Sequence, residues 1–315
     1  MSELHDLAYW MALAHLPRWR NERINKLIVE ILRNRNFSFA EFYQMDESDW
    51  QSEFQLSAKE SADLTNSRSN LPELASLSEE LLQQEFEIIP INYQDYPKTL
   101  KENLKLKYSP PLLYIKGDKH LLHEPSVAIV GSRDASQIAL QFTDAVAGKC
   151  VDEHKVVVSG FAKGVDRMAL ESTLKYHGRS IIVLPQGIMT FASGFRKYSA
   201  QIAEGDLLAL STYFPKSPWN AGLAMGRNVY IYGLADEIYV AESGSKGGTW
   251  SGVIDGLRKG RKVYVRKAGQ EEENANNVLL SKGALPVDSE GKFIGDPEMA
   301  GSQIEQLEIE FGDSG

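Results

Sequence analysis

From Ser126 onward the sequence alternates short, unbroken apolar runs with longer helix-like stretches, and few folds accommodate that pattern. The runs are VAIVG (127–131), VVVSG (156–160), SIIVLPQG (180–187), DLLALS (206–211), EIYVAE (237–242) and KVYVR (262–266). They are rich in β-branched residues and leucine and do not switch between apolar and polar. Strands covered on both faces of a parallel sheet read this way, because neither face meets water. Helical patterns lie between them, including Gln137 to Lys149 and Asp166 to Tyr176. The fold class expected for 126–267 is α/β: an extended Rossmann-like, doubly wound, mostly parallel sheet.

Residues 1–75 read instead as a small α-helical domain. Leu7, Trp10, Met11 and the residues from Leu13 to Leu16 form one apolar stripe, and Ile24, Leu27, Ile28, Ile31 and Leu32 a second. The polar stretch 61–74 is the expected boundary. An extended lead-in (76–125) then carries the chain to the first parallel strand. Residues 268–315 form an acidic tail, with an apolar patch at 278–287 expected to pack back and the last 20 or so residues expected to be mobile.

The net charge of −9 is unevenly placed. Of 43 acidic and 34 basic side chains, 11 and 2 follow Ala268, leaving 32 of each in the body. A neutral body does not coat duplex DNA by charge alone, though it can hold a local basic site. No run approaches the ~20 apolar residues of a membrane span, and the amino terminus lacks the basic leader of a secretory signal. Cys150 is the only cysteine, so no disulfide framework or cysteine-built metal site is expected, and the expected location is the cytoplasm.

Ligands of open parallel sheets sit beyond the carboxyl ends of the strands. Gly131-Ser132-Arg133 follows the first run: a sharp turn, a helix N-terminus and a planar donor fork suit a phosphate. A tight turn with a surface arginine is the equally simple reading. Ser159-Gly160-Phe161-Ala162-Lys163-Gly164-Val165-Asp166 has the composition of an anion cradle, and Asp166 suits either a ligand or a helix cap. Gly226-Arg227-Asn228 reads as a third loop. Lys246-Gly247-Gly248-Thr249 reads as a fourth, but G-x-x-x-x-G-K-[ST] cannot be laid on it, nor G-x-G-x-x-G on the first. Arg133, Lys163, Arg227 and Lys246 together would make a compact positive pocket.

No catalytic set emerges. The six histidines are scattered and read as solvated, and His120 and His123 lack a third metal ligand nearby. Glu242 suits either a general base or a loop anchor, and Cys150 reads as packing. Phe161, Phe191, Phe195, Tyr198, Tyr213, Phe214 and Trp219 fall in or near the loops, where stacking on bases and core packing are the two readings.

At these loops the sequence resembles the DprA/Smf family of DNA-processing proteins. The matching segments occur in order: INYQDYPKTLKENLKLKYSPPLLYIKGD (91–118), IVGSRDAS (129–136), VVSGFAKGVDRMAL (157–170), GRSIIVLPQG (178–187), GRNVYIYGLADEIYVAE (226–242), GRKVYV (260–265) and NNVLLSKGALPV (276–287). The resemblance implies an extended Rossmann fold, a positively charged pocket for single-stranded DNA, commonly a homodimer, and transfer of that DNA to RecA recombinase in transformation or recombination. It implies neither an enzyme nor a cofactor. Carried over by motif, the pocket residues are Gly131, Ser132, Arg133, Ser159, Gly160, Lys163, Gly164, Asp166, Arg227 and Asn228. Departures include Arg227-Asn228-Val229 in place of Arg-Asn-Arg, which removes a charge from the expected rim.

A second reading comes from the wider Rossmann-like group, which includes nucleotide sensors and phosphoribohydrolases. Lys246-Gly247-Gly248-Thr249 resembles the glycine-threonine loop of those hydrolases, with Glu242 as acid or base. Their P-G-G-x-G-T-x-x-E signature is incomplete, since Gly252 stands where its glutamate belongs.

Overall fold

A computed structural model describes residues 2–296. The chain forms two compact units. The first comprises the chain up to Lys116 with Gln186–Ser193 and Leu210–Trp219; the second comprises Gly117–Pro185, Gly194–Ala209 and the chain from Asn220 onward.

The first unit is built largely of helices: Ser2–Ala14, Asn21–Val29, Phe39–Gln44, Glu47–Glu53, Ala58–Ser69 and Leu71–Gln83. Local chemistry sets several of their starts. Ser38 with Glu41, Asp46 with Asp49 and Ser57 with Glu60 form reciprocal capping boxes that satisfy the first free amides. Trp10, Met11, Leu13, Phe42, Trp50, Leu64 and Leu81 fill the core at 2% exposure or less. The stretch 61–74, expected as a boundary, runs through the helices Ala58–Ser69 and Leu71–Gln83, which meet at Asn70. Ser61, Leu64, Ser67 and Leu74 are buried while Asn66, Ser69, Asn70 and Glu73 face water, a mostly polar composition that reads as a linker when only composition is weighed. Strands β1 (Glu87–Pro90) and β2 (Leu112–Lys116) then pair antiparallel, Glu87 opposite Ile115 and Pro90 opposite Leu112. Between them the lead-in is not extended throughout: Lys98–Tyr108 is helical, broken at Lys105 (φ 53°). His15, expected as solvated, packs against Tyr114, its Nε2 2.8 Å from the Tyr114 hydroxyl. Burial lowers its pKa to about 4.

In the second unit β3 (Ser126–Val130), β4 (Val156–Ser159), β5 (Ser180–Val183), the first three residues of β6 (Leu207–Ser211), β7 (Glu237–Val240), β8 (Lys262–Arg266) and β9 (Leu285–Val287) lie in the order β6-β5-β4-β3-β7-β8-β9. β3 pairs parallel with both β4 and β7, and β7-β8-β9 continue in parallel. The chain therefore winds outward from β3 on one side and returns to its other side at β7. That reversal opens a crevice at the carboxyl ends of β3 and β7, the switch point of a doubly wound sheet. Helices Gln137–Asp152, Val165–Lys175, Ala221–Leu234 and Gly248–Arg258 accompany the strands. Val127, Ile129, Phe142, Val146, Val157 and Val165 form the core there. Cys150 joins them, its thiol pushed up to about 12 by burial, as suits a packing residue.

Over the apolar patch at 278–287, helix Asn276–Ser281 leads into β9, which pairs parallel with β8 at the sheet edge. The expected mobile end of the acidic tail lies outside the described residues beyond 296. Among the described residues no helix is long and apolar enough to cross a membrane.

Candidate functional site

The loops after β3, β4 and β7 share one sheet edge because their strands are direct neighbours. They are laced together by backbone. The Ser132 amide donates to the Glu242 carbonyl at 2.9 Å, and the Ser132 carbonyl accepts from the Val165 amide at 3.2 Å. The Thr249 hydroxyl donates to the Gly131 carbonyl at 3.0 Å. One turn thus anchors on both neighbours.

Glycine is required where the loops touch. A Cβ on Gly164 (φ 80°) would lie 2.4 Å from the Ser132 carbonyl oxygen and 2.5 Å from that of Arg133. A Cβ on Gly131 would meet the Val165 side chain at 2.5 Å. Phe161, between Gly160 and Gly164, also takes a left-handed backbone (φ 58°), uncommon for a bulky residue. Its ring is covered by the Arg167 guanidinium at 3.8 Å and meets Tyr198 edge-on at 5.9 Å.

The cations divide into two groups. Arg133, Lys163 and Lys246 are exposed at the loop tips. Lys163 forms an ion pair with Asp134 at 2.8 Å, both side chains being more than 80% exposed, so solvent screens it and it is readily exchanged for another anion. Beside it opens a cleft of about 630 Å³ bordered by Arg133, Lys163, Gly164, Arg167 and Met168. Arg227 differs. It is 2% exposed and lies within helix Ala221–Leu234, not in a loop as the sequence suggested. Asn220 caps that helix, and the apolar face of Ala224, Ile231 and Leu234 runs straight through Gly226-Arg227-Asn228. The Arg227 guanidinium donates to the carbonyls of Gly160 and Val183.

Arg227 stands beside Asp166, also buried. Burial raises the Asp166 pKa, and Arg227 opposes that rise, as do the amides of Ala162 and Gly160. A Cβ on Gly160 would strike both Arg227 Nη1 and Asp166 Oδ2. Arg227 and Asp166 therefore brace the β4 loop from beneath. Ser159 is fully buried, and among the described residues its hydroxyl has no hydrogen-bond partner. Asn228 is half-buried and approaches the fourth loop, where a Cβ on Gly248 would lie 2.4 Å from its Nδ2. Among the described residues nothing lies within 4 Å of a Cβ built on Gly247 (φ 98°). At the surface the structure brings together Gly131, Ser132, Arg133, Lys163 and Gly164 of the predicted set. Ser159, Asp166 and Arg227 lie under them.

Two groups needed by the hydrolase reading are already engaged. Thr249 is bonded to Gly131, and the Glu242 carboxylate accepts from the Ser136 hydroxyl at 2.5 Å and the Ser136 amide at 3.2 Å. Glu242 is the loop anchor, bonded through its carbonyl and its carboxylate. Asp134 and Ser136, both in the IVGSRDAS segment, join this network through Lys163 and Glu242, and no local sequence signal marks either. Among the described residues no group of three or more His, Cys, Asp or Glu is placed to hold a metal ion. Of the aromatics, Tyr198 and Phe191 are buried, Phe161 is half-buried, and Trp219 is 55% exposed.

Comparison with known proteins gives a consistent result. The family model for DNA recombination-mediator protein A matches residues 87–296. The DNA processing protein DprA of Streptococcus pneumoniae is 32% identical over 191 residues, 61% of this chain and 66% of the relative. That of Bacillus subtilis is 28% identical over 199 residues, 62% of this chain and 65% of its own. The matched region thus spans just under two thirds of either relative. The X-ray structure of the S. pneumoniae protein superposes with a TM-score of 0.73 at 25% identity, over 93% of this chain and 99% of that one. The DprA of Helicobacter pylori, solved for its mode of binding single-stranded DNA, shares the fold at TM-score 0.55 and 24% identity, over 71% of this chain and 97% of that one.

Proposed function

Because this chain belongs to the DNA recombination-mediator protein A family, the DprA/Smf proteins, we propose that it binds single-stranded DNA at the carboxyl edge of β3, β4 and β7. The observation that carries the reading is the tethered trio of loops at the switch point, with Arg133, Lys163 and Lys246 exposed at their tips. Phosphates sit on Arg133 and on Lys163, which exchanges Asp134 for the incoming anion. Amides of the Gly131–Arg133 turn assist, while Arg227 and Asp166 hold the β4 loop in shape without touching the strand. Bases stack against Phe161. Single strands suit a neutral body with a local cationic site, since duplex affinity depends on wider charge. The H. pylori relative, described as binding single-stranded DNA, supports the ligand class.

In this reading the protein is a binder and not an enzyme. It acts in the cytoplasm as a homodimer and passes the strand to RecA recombinase in transformation or recombination. Competition between labelled oligo-dT and unlabelled duplex of the same length tests the ligand. The expected result is that single strands displace the label at far lower concentration than duplex; equal displacement overturns it. Sedimentation and a RecA strand-loading assay test the rest.

A further inference from the structure

The first unit carries a concentration of positive charge that the loop cluster does not use. The turn 17–20 joins helices Ser2–Ala14 and Asn21–Val29, and a cleft of about 540 Å³ opens against it, bordered by Arg18, Trp19, Arg20, Lys26 and Lys59. The acids of this cleft are already partnered. Glu60 accepts from Arg23 Nε at 2.7 Å, Glu22 from Lys26 Nζ at 2.9 Å, and Asp63 from Trp19 Nε1 at 3.1 Å. Arg18, Arg20 and Lys59 are exposed, and among the described residues their side chains form no ion pair or hydrogen bond. The cleft is therefore cationic after its internal pairs are made.

The charge continues onto the helix Lys98–Tyr108, KTLKENLKLKY, with four lysines to one glutamate. That helix is fastened to Asn21–Val29. Asn25 Nδ2 donates to the carbonyls of Leu106 (2.8 Å) and Ser109 (2.9 Å), and Asn21 Nδ2 to that of Tyr108 (3.1 Å). Lys107 is close enough to Glu22 to add to the positive field there. Past the backbone break at Lys105, Tyr108 is 44% exposed, with the Lys107 ammonium 5.3 Å from its ring. Trp19 is half-buried, oriented by Asp63, and has the Arg23 guanidinium 5.5 Å from its ring.

A solvated helix face is usually mixed in sign and lacks large rings. Here unpaired cations alternate with two oriented aromatic rings on a body of zero net charge. A single-stranded nucleic acid meets that arrangement, offering phosphates to the cations and unstacked bases to the rings. A duplex offers only phosphates. We infer that this face of the helical unit is a second site for single-stranded nucleic acid, with phosphates on Arg18, Arg20, Lys59 and Lys107 and bases on Trp19 and Tyr108. It is independent of the loop cluster and does not need that reading to hold.

The test uses the full chain, long labelled oligo-dT and a salt titration. The variants are Arg18→Ala/Arg20→Ala/Lys59→Ala, Tyr108→Ala, and each of these combined with Arg133→Ala/Lys163→Ala. Among the described residues the three cations form no side-chain hydrogen bond or ion pair, so their loss should leave the circular dichroism spectrum unchanged. Removing three phosphate contacts should flatten the slope of log K against log salt by about 2 and weaken binding roughly tenfold or more at low salt. The loss should appear equally with the loops intact or mutated, which separates this site from the loops. Tyr108→Ala should weaken oligo-dT binding while leaving the slope in place. A folded triple variant with wild-type affinity and slope overturns the inference. So does a triple variant that loses a poly-glutamate peptide as strongly as oligo-dT, which makes the face a dock for acidic protein segments.

Discussion

Alanine at Gly164 places the largest demand on the loop cluster. The residue sits at φ 80° and ψ −128°, which side chains rarely adopt. Its new methyl would lie 2.4 Å from one backbone oxygen and 2.5 Å from a second, and neither can rotate away. Backbone strain of this kind costs about 1–3 kcal/mol, and relieving the overlap by moving the β3 turn costs roughly another 1–3 kcal/mol. Gly247→Ala is the matched control: φ is 98°, but among the described residues nothing lies within 4 Å of the added carbon. It should show the strain alone. Urea unfolding of both variants isolates the contact between the two loops as the difference, about 1–3 kcal/mol. Gly164→Ala should also weaken oligo-dT binding at least tenfold, because the turn carrying Arg133 has to shift. Equal midpoints for the two variants, or a Gly164→Ala protein as stable as wild type, would refute this picture of the cluster.

Other substitutions separate holding the site from contacting the ligand. Arg227→Met should destabilise the fold by about 3–5 kcal/mol, since it strands the Asp166 carboxyl and two buried carbonyls; a stable variant with a flatter salt slope would make Arg227 a phosphate contact instead. Asp134→Ala frees Lys163 and removes a like charge from the path of the phosphates, so oligo-dT affinity should rise several-fold with melting temperature unchanged; a fall in affinity rules out the exchange of anions. His15 sets a pH dependence. Its pKa is about 4 in the fold against 6.5 when unfolded, so the unfolded chain binds the extra proton. Its stabilisation is complete above pH 6.5 and is lost as pH falls toward 4, by about 2 kcal/mol once its exposed edge is discounted. His15→Phe should flatten that segment of the stability profile, and an unchanged profile places the acid sensitivity elsewhere.

The parallel sheet was legible because burial on both faces demands continuous β-branched runs, and the loops after β3, β4 and β7 because each follows such a run. What escaped reading depends on partners far along the chain. Gly226-Arg227-Asn228 has turn composition, yet Ala224, Ile231 and Leu234 keep a helical face through it. The carbonyls that bury Arg227 come from residues 67 and 44 positions away. The Lys163–Asp134 pair spans 29 positions and the Glu242–Ser136 anchor 106, so no local pattern announces either. The helix over 61–69 was hidden for another reason: one apolar residue in four suffices when a single face is buried, and composition then resembles a linker.

In the proposed mode of binding, DNA phosphates are held by Arg133 and Lys163 at the loop tips. Its most direct test is the affinity for oligo-dT across a range of salt concentrations, for wild type and the Arg133→Ala/Lys163→Ala variant. The variant should fold normally and bind more weakly, with a slope of log K against log salt reduced by about 1.4 for two lost single-strand contacts. A folded variant whose slope matches that of wild type would contradict it and move the strand away from these loops.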